Sequence, residues 1–181
     1  MKKYYKHIPN ILTILRIFLI PVFLICSLKG KMLGALIVFV IAALTDLFDG
    51  IIARKFNYIS NLGKILDPLA DKLLVGFALI LFVYLNLLSW WLAAIIIIRE
   101  IVMTLYRSHL QRKNIYLPAN IYGKIKTTIQ MTVIIGSLLY KSLHFQTNWI
   151  STTISILFYL TALFGWISFF IYLKHKKESR I

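Results

Sequence analysis

Four aspartates, Asp46, Asp49, Asp67 and Asp71, carry the first chemical signal in this 181-residue chain. They are all the aspartates it has, and Glu100 and Glu178 complete its acidic residues. Asp46 and Asp49 stand three apart and Asp67 and Asp71 four apart, so on helices each pair shares one face. The turn around Lys55–Leu62, with Asn57, Ser60 and Asn61 followed by Gly63, can bring the two faces together. A carboxylate among apolar runs costs on the order of 2.5 kcal/mol or more, so it persists where it is paired or liganded. Four of them close together repel one another unless cations sit between them. Such hard oxygen donors suit Mg²⁺ or Mn²⁺, with room for two ions and a diphosphate to supply the missing ligands. Gly50 and Ala53 lie on the Asp46 face and leave space for a substrate near the backbone, while Arg54 offers a forked guanidinium to phosphate oxygens. A plainer reading has the aspartates neutralise Arg54, Lys55, Lys64 and Lys72, with Gly50 and Gly63 only packing helices.

The elements that position these residues are membrane helices. The chain is 60% hydrophobic and 15% charged, with mean hydropathy +0.80, too apolar for a water-soluble globule. Six segments approach the roughly 20 apolar residues of a spanning helix: Asn10–Leu28, Met32–Arg54, Gly63–Leu87, Trp90–Leu110, Ile121–Tyr140 and Trp149–Leu173. The expected fold is therefore all-α and polytopic, one domain over residues 1–181, with Met1–Pro9 as a short interfacial helix. The first segment is too long for a signal peptide and lacks a small-residue cleavage pattern, so it reads as an uncleaved helix. With both termini in the cytoplasm, all but Lys29, Lys31 and Lys141 of the 21 lysines and arginines fall on the cytoplasmic side, as the positive-inside rule requires. The net charge of +15 in so apolar a chain points to anionic headgroups and phosphorylated substrates, not to nucleic acid. One cysteine, Cys26, excludes an intramolecular disulfide and a cysteine-based zinc site.

Read as one string, Asp46-Leu-Phe-Asp49-Gly50-Ile-Ile-Ala53-Arg54, eight residues, Gly63, three residues, Asp67, three residues, Asp71 resembles the complete signature of the CDP-alcohol phosphatidyltransferases. Every fixed position matches at its spacing. The stretches Ile8–Arg16, Leu66–Lys72, Arg99-Glu100 and Gly123–Thr127 further resemble the branch that makes phosphatidylglycerophosphate in bacteria. The final helix shows no motif of its own.

The resemblance implies a six-helix enzyme of the bacterial plasma membrane, homodimeric, with its polar cavity open to the cytoplasm. It implies that Asp46, Asp49, Asp67 and Asp71 hold two divalent ions and that Asp71 is also the general base. Gly50, Arg54 and Ser60, with Asn10 and Thr13 of the first helix, would contact the CDP-linked donor beside Ala53 and Gly63. Capping or inter-helix hydrogen bonding is the alternative role for Asn10 and Thr13. The implied reaction is attack by an alcohol on the lipid-bearing phosphorus of CDP-diacylglycerol, expelling CMP. No cysteine or histidine nucleophile is called for, and His7, His109, His144 and His175 sit near loops or ends.

Arg99 and Glu100 lie mid-way along an apolar segment, Arg107 shares roughly the Arg99 face, and Lys124 and Lys126 open the fifth helix. A pocket of these cations suits a phosphorylated acceptor, in agreement with glycerol 3-phosphate. Inositol phosphate is the alternative acceptor, and Arg99 pairing with Glu100 is the alternative role. In a different class, a divalent-metal transporter could use four intramembrane aspartates, though it would typically show inverted repeats and broken helices.

Overall fold

The computed structural model describes residues 8–56, 63–113, 121–143 and 148–178, and the side chains of 12–46, 69–111, 113, 121–143 and 149–174. These residues form six helices and no strand: α1 (Ile8–Leu28), α2 (Met32–Phe56), α3 (Gly63–Tyr84), α4 (Trp90–Arg112), α5 (Ile121–Ser142) and α6 (Asn148–Glu178). Each apolar segment expected from the sequence has become one helix. The interfacial helix expected over Met1–Pro9 lies outside the described residues, except that α1 already begins at Ile8.

Helix ends differ from the sequence expectation for local reasons. Helix α3 stops at Tyr84 instead of Leu87 because Asn86 takes the left-handed conformation, φ 56°. The Leu87 N–H then donates to the Phe82 carbonyl (2.9 Å) and the Asn86 N–H to the Val83 carbonyl (3.1 Å), closing a Schellman motif. Gly30, φ 73°, ends α1 in the same way, with Lys31 N–H on Cys26 O (2.9 Å) and Gly30 N–H on Ser27 O (3.0 Å). Helix α6 has 31 residues, about 46 Å at the standard rise, and carries on past Leu173 through a basic end.

The chain divides into two compact units. The first holds α1, α2, α3 as far as Leu81, and α5 from Leu138; the second holds the end of α3, α4, α5 through Ser137, and α6. In the first unit, α1 buries Thr13, Arg16, Ile20, Phe23 and Ser27, spaced alternately three and four apart. Helix α2 answers with Ala35, Phe39 and Ala42. This is the seven-residue seam of two interlocking helices. Phe23 meets Phe39 with ring centroids 5.7 Å apart. At Gly34 an added Cβ would lie 3.8 Å from Cys26 Sγ. The pairings 26/34, 23/39 and 16/46 make the two helices antiparallel.

The second unit repeats the device. Helix α4 buries Leu92, Ile96, Arg99, Met103 and Leu110, and α6 buries Ile154, Phe158, Thr161, Gly165, Ser168 and Tyr172. Trp91 packs on Tyr159 at 5.6 Å and Tyr106 on Phe169 at 6.2 Å. Arg99 bonds to Gly165. Residue numbers rise together in all three pairs, so α4 and α6 run parallel.

The faces opposite the seams are apolar and open. Ile14, Phe18, Val22 and Ile25 on α1, and Ile95, Ile98, Ile101, Val102 and Leu105 on α4, are all exposed. Contiguous apolar surface of this kind is unsuited to water and suited to lipid. Of the described residues, one helix, over Trp149–Lys174, is long and apolar enough by itself to cross a membrane, and only 28% of its most apolar window is buried. The apolar stretches Leu12–Leu28 and Met32–Asp46 are shorter. Charges at Arg99, Glu100, Lys124 and Lys126 interrupt the apolar runs of α4 and α5.

Candidate functional site

Helices α2 and α3 position the aspartates. Helix α2 runs without a break through Asp46, Asp49, Gly50, Ala53 and Arg54, and α3 runs from Gly63 through Asp67 and Asp71. The three- and four-residue spacings are therefore helical spacings, as expected. Asp46 and Asp71 both belong to the first unit, and both side chains are partly exposed. The side chains of Asn10, Asp49, Gly50, Ala53, Arg54, Gly63 and Asp67 lie outside the described residues, as does Ser60 altogether. Among the described residues no three aspartate, glutamate, histidine or cysteine side chains come together.

The structure adds a partner to Asp46. Arg16 of α1 places Nη1 2.7 Å from Asp46 Oδ1, and the arginine side chain is fully enclosed while that of Asp46 is 36% exposed. The seam dictates the meeting. Arg16 lies one heptad before Phe23, and Asp46 one heptad after Phe39, so antiparallel helices that pair the phenylalanines also pair the charges. From the sequence, Arg16 reads as one more cytoplasmic cation and as the end of the Ile8–Arg16 stretch, with no partner assigned. The signal that could have found it is the 16-20-23-27 periodicity, which turns it inward. Thr13 shares this buried stripe, one turn before Arg16.

The second unit gathers the cations. Arg99 is buried on the α4 seam and its Nε donates to the Gly165 carbonyl of α6 at 2.8 Å. An added Cβ at Gly165 would lie 3.3 Å from Arg99 Nε, so the arginine would have to give by a few tenths of an ångström. The sequence offered no motif in α6; its buried glycine at a seam position is what receives the arginine. Glu100 forms an ion pair with the buried Lys126 of α5, and its other oxygen lies 4.0 Å from Arg99 Nη1. Arg107 donates from Nη2 to Tyr172 Oη at 2.7 Å, with its guanidinium carbon 5.0 Å from the centre of that ring. Lys124 stands exposed at the start of α5. Nearby, the close approach of Gly123 to Ser168, 3.2 Å from an added Cβ to Oγ, ties α5 to α6.

Buried Arg99 and Lys126 and partly exposed Glu100 therefore form one network across α4, α5 and α6, and the expected Arg99–Glu100 pairing is its longest link. Among the described residues, the Arg99 guanidinium and the Lys126 ammonium around Glu100 make a net positive environment. That environment can receive a phosphate dianion through charge-assisted hydrogen bonds.

Residues 6–172 match the family model of CDP-alcohol phosphatidyltransferase. The chain is 41% identical to the CDP-diacylglycerol–glycerol-3-phosphate 3-phosphatidyltransferase of Bacillus subtilis strain 168, over 77% of this chain and 80% of the relative. It is 42% identical to the enzyme of the same name from Rickettsia bellii, over 70% of this chain and 71% of the relative. A third of that name, from Mycoplasma pneumoniae, is 32% identical over 95% of this chain and 88% of its own length.

Proposed function

The chain belongs to the CDP-alcohol phosphatidyltransferase family and is a phosphatidyltransferase, and from that premise we propose that it moves the phosphatidyl group of CDP-diacylglycerol to sn-glycerol 3-phosphate, giving phosphatidylglycerophosphate and CMP. Family membership sets the transporter reading aside. The observation that carries the acceptor is the buried cationic network of Arg99 and Lys126 around Glu100, with Arg107 and Lys124 on the same two helices. A neutral inositol or a zwitterionic serine would leave such charges without a matching dianion. The donor is assigned to the first unit. There Arg54 would grip its diphosphate, with Gly50, Ala53 and Gly63 giving access and Asn10, Thr13 and Ser60 making polar contacts.

The donor set fits hard divalent ions. Asp46 and Asp71 offer partly exposed carboxylates from one unit, and α2 and α3 carry Asp49 and Asp67 at helical spacing beside them. Two Mg²⁺ or Mn²⁺ ions bound there would neutralise the diphosphate and stabilise the charge that develops on the departing CMP. Asp71 accepts the proton of the attacking hydroxyl. Arg99, Arg107, Lys124 and Lys126 hold the acceptor's phosphate. The displacement is direct and needs no covalent enzyme intermediate.

The same reading makes the chain a multi-pass protein of a bacterial plasma membrane: six spanning helices, both termini and the active site cytoplasmic, one catalytic domain, working as a homodimer. Antiparallel α1 and α2, and parallel α4 and α6 with α5 between them in sequence, support alternating crossings. A family match that runs through both units supports a single catalytic domain.

The decisive assay follows CMP release by purified protein in detergent micelles containing CDP-diacylglycerol and Mg²⁺. Glycerol 3-phosphate, inositol phosphate, inositol and serine are offered separately. Release with glycerol 3-phosphate alone, abolished by EDTA and restored by excess Mg²⁺, is the expected result. Release with inositol phosphate instead would keep the chemistry and replace the acceptor.

Arg99→Ala gives a sharper test of the pocket. A charge-assisted hydrogen bond is worth roughly 1.5–3 kcal/mol, so KM for glycerol 3-phosphate should rise about 10–100-fold while KM for CDP-diacylglycerol stays within a few-fold. Equal rises in both would remove Arg99 from the acceptor site.

A further inference from the structure

Arg16 is the only charged residue of α1, and it is one of the largest fully buried side chains described. A guanidinium taken wholly out of solvent is retained where an acceptor of opposite charge meets it. One acceptor is among the four aspartates: Asp46, bound through Oδ1 at 2.7 Å. The pair is lopsided. The arginine is enclosed in the α1–α2 seam, and the carboxylate retains 36% of its side-chain surface.

We propose that Arg16 is a positioning residue for divalent-ion binding: held rigid by the seam, it grips one oxygen of Asp46 and fixes the carboxylate's rotamer toward the metal. The inference rests on the proposed metal role of the aspartates. Carboxylates that ligate metals need outer partners to orient them, and loss of such a partner typically costs 10–100-fold in affinity or activity. Arginine suits the task better than lysine because its planar fork is always charged and fixes direction as well as charge. Two effects oppose each other at this position. The positive charge repels an incoming cation, and the fixed geometry favours it. Asp46 already compensates that charge at hydrogen-bond distance, so orientation is the larger effect.

The test titrates Mn²⁺ into the full-length protein in detergent and reads free Mn²⁺ by electron paramagnetic resonance, without substrate. Arg16→Met should weaken Mn²⁺ binding about 10–100-fold. Arg16→Lys, which keeps the charge and loses the fork, should fall between Arg16→Met and the unaltered chain. On an Asp46→Asn background, Arg16→Lys should change nothing further, because the coupling runs through that carboxylate. Should Arg16→Met fail to fold, Arg16→Lys and the double variant decide the matter. Unchanged or tighter Mn²⁺ binding by folded Arg16→Lys would overturn the positioning role and leave Arg16 a counter-ion. A different failure, no Mn²⁺ binding by the unaltered protein at millimolar concentration, would overturn the metal reading itself and this inference with it.

Discussion

Asp71→Asn should give a folded protein whose CMP release falls by about three orders of magnitude, within the 10²–10⁴ that a positioned general base contributes. Asp71 lies inside α3, next to the buried Ala70 and three before the buried Leu74, with its own side chain partly exposed. Asparagine has nearly the same shape, so the helix and its packing should survive. What it lacks is a proton-accepting oxygen and a formal charge for a divalent ion. The measurement pairs the turnover number with Mn²⁺ affinity. A collapse of turnover with modestly weakened Mn²⁺ binding assigns Asp71 mainly to proton transfer. A collapse that saturating Mn²⁺ reverses assigns it mainly to the metal. Turnover at the unaltered rate would remove it from both roles.

Glu100→Gln should be the most damaging single change to stability away from the aspartates. Glu100 is the carboxylate paired with the buried Lys126, and it also faces Arg99 at 4.0 Å. Removing one member of a buried ion pair typically costs about 3–5 kcal/mol, because the remaining charge loses its partner in a poorly polarisable setting. Both effects fall in the second unit, and Trp90, Trp91, Trp149 and Trp166, all the tryptophans of the chain, lie there as well. Thermal unfolding followed by tryptophan fluorescence should therefore report the loss directly. Adding Lys126→Met should recover much of it, since replacing a buried pair by apolar groups of similar volume is often neutral. The double variant should still bind glycerol 3-phosphate poorly, which separates the stability of the network from its use in binding. A Glu100→Gln protein that melts like the unaltered one would show that the pair carries little weight in the fold.

Composition and period were enough to locate the helices. Apolar segments of near-spanning length placed all six helices within a few residues of their observed limits. The misses fell at ends, where one backbone conformation decides. The left-handed Asn86 shortened α3, and nothing in the apolar pattern marks that residue as a cap. The aspartate spacings were legible for the same reason, since i+3 and i+4 carry geometric meaning as soon as a segment is helical. The family, too, could be read from the string of residues between Asp46 and Asp71.

Which side chains meet across helices was decided only in three dimensions. Arg16 and Asp46 are thirty positions apart and belong to different segments, as do Arg99 and Gly165, or Glu100 and Lys126. Helical period says which face a residue occupies. It does not say which face of another helix lies against it, because that register is set by how side chains such as Phe23 and Phe39 interlock along the seam. By itself the sequence determined the helices, the helical spacing of the aspartates and the excess of positive charge. The tertiary structure decided the partners, placing an arginine behind Asp46 and seating Arg99 on a glycine of the one helix in which the sequence showed no motif.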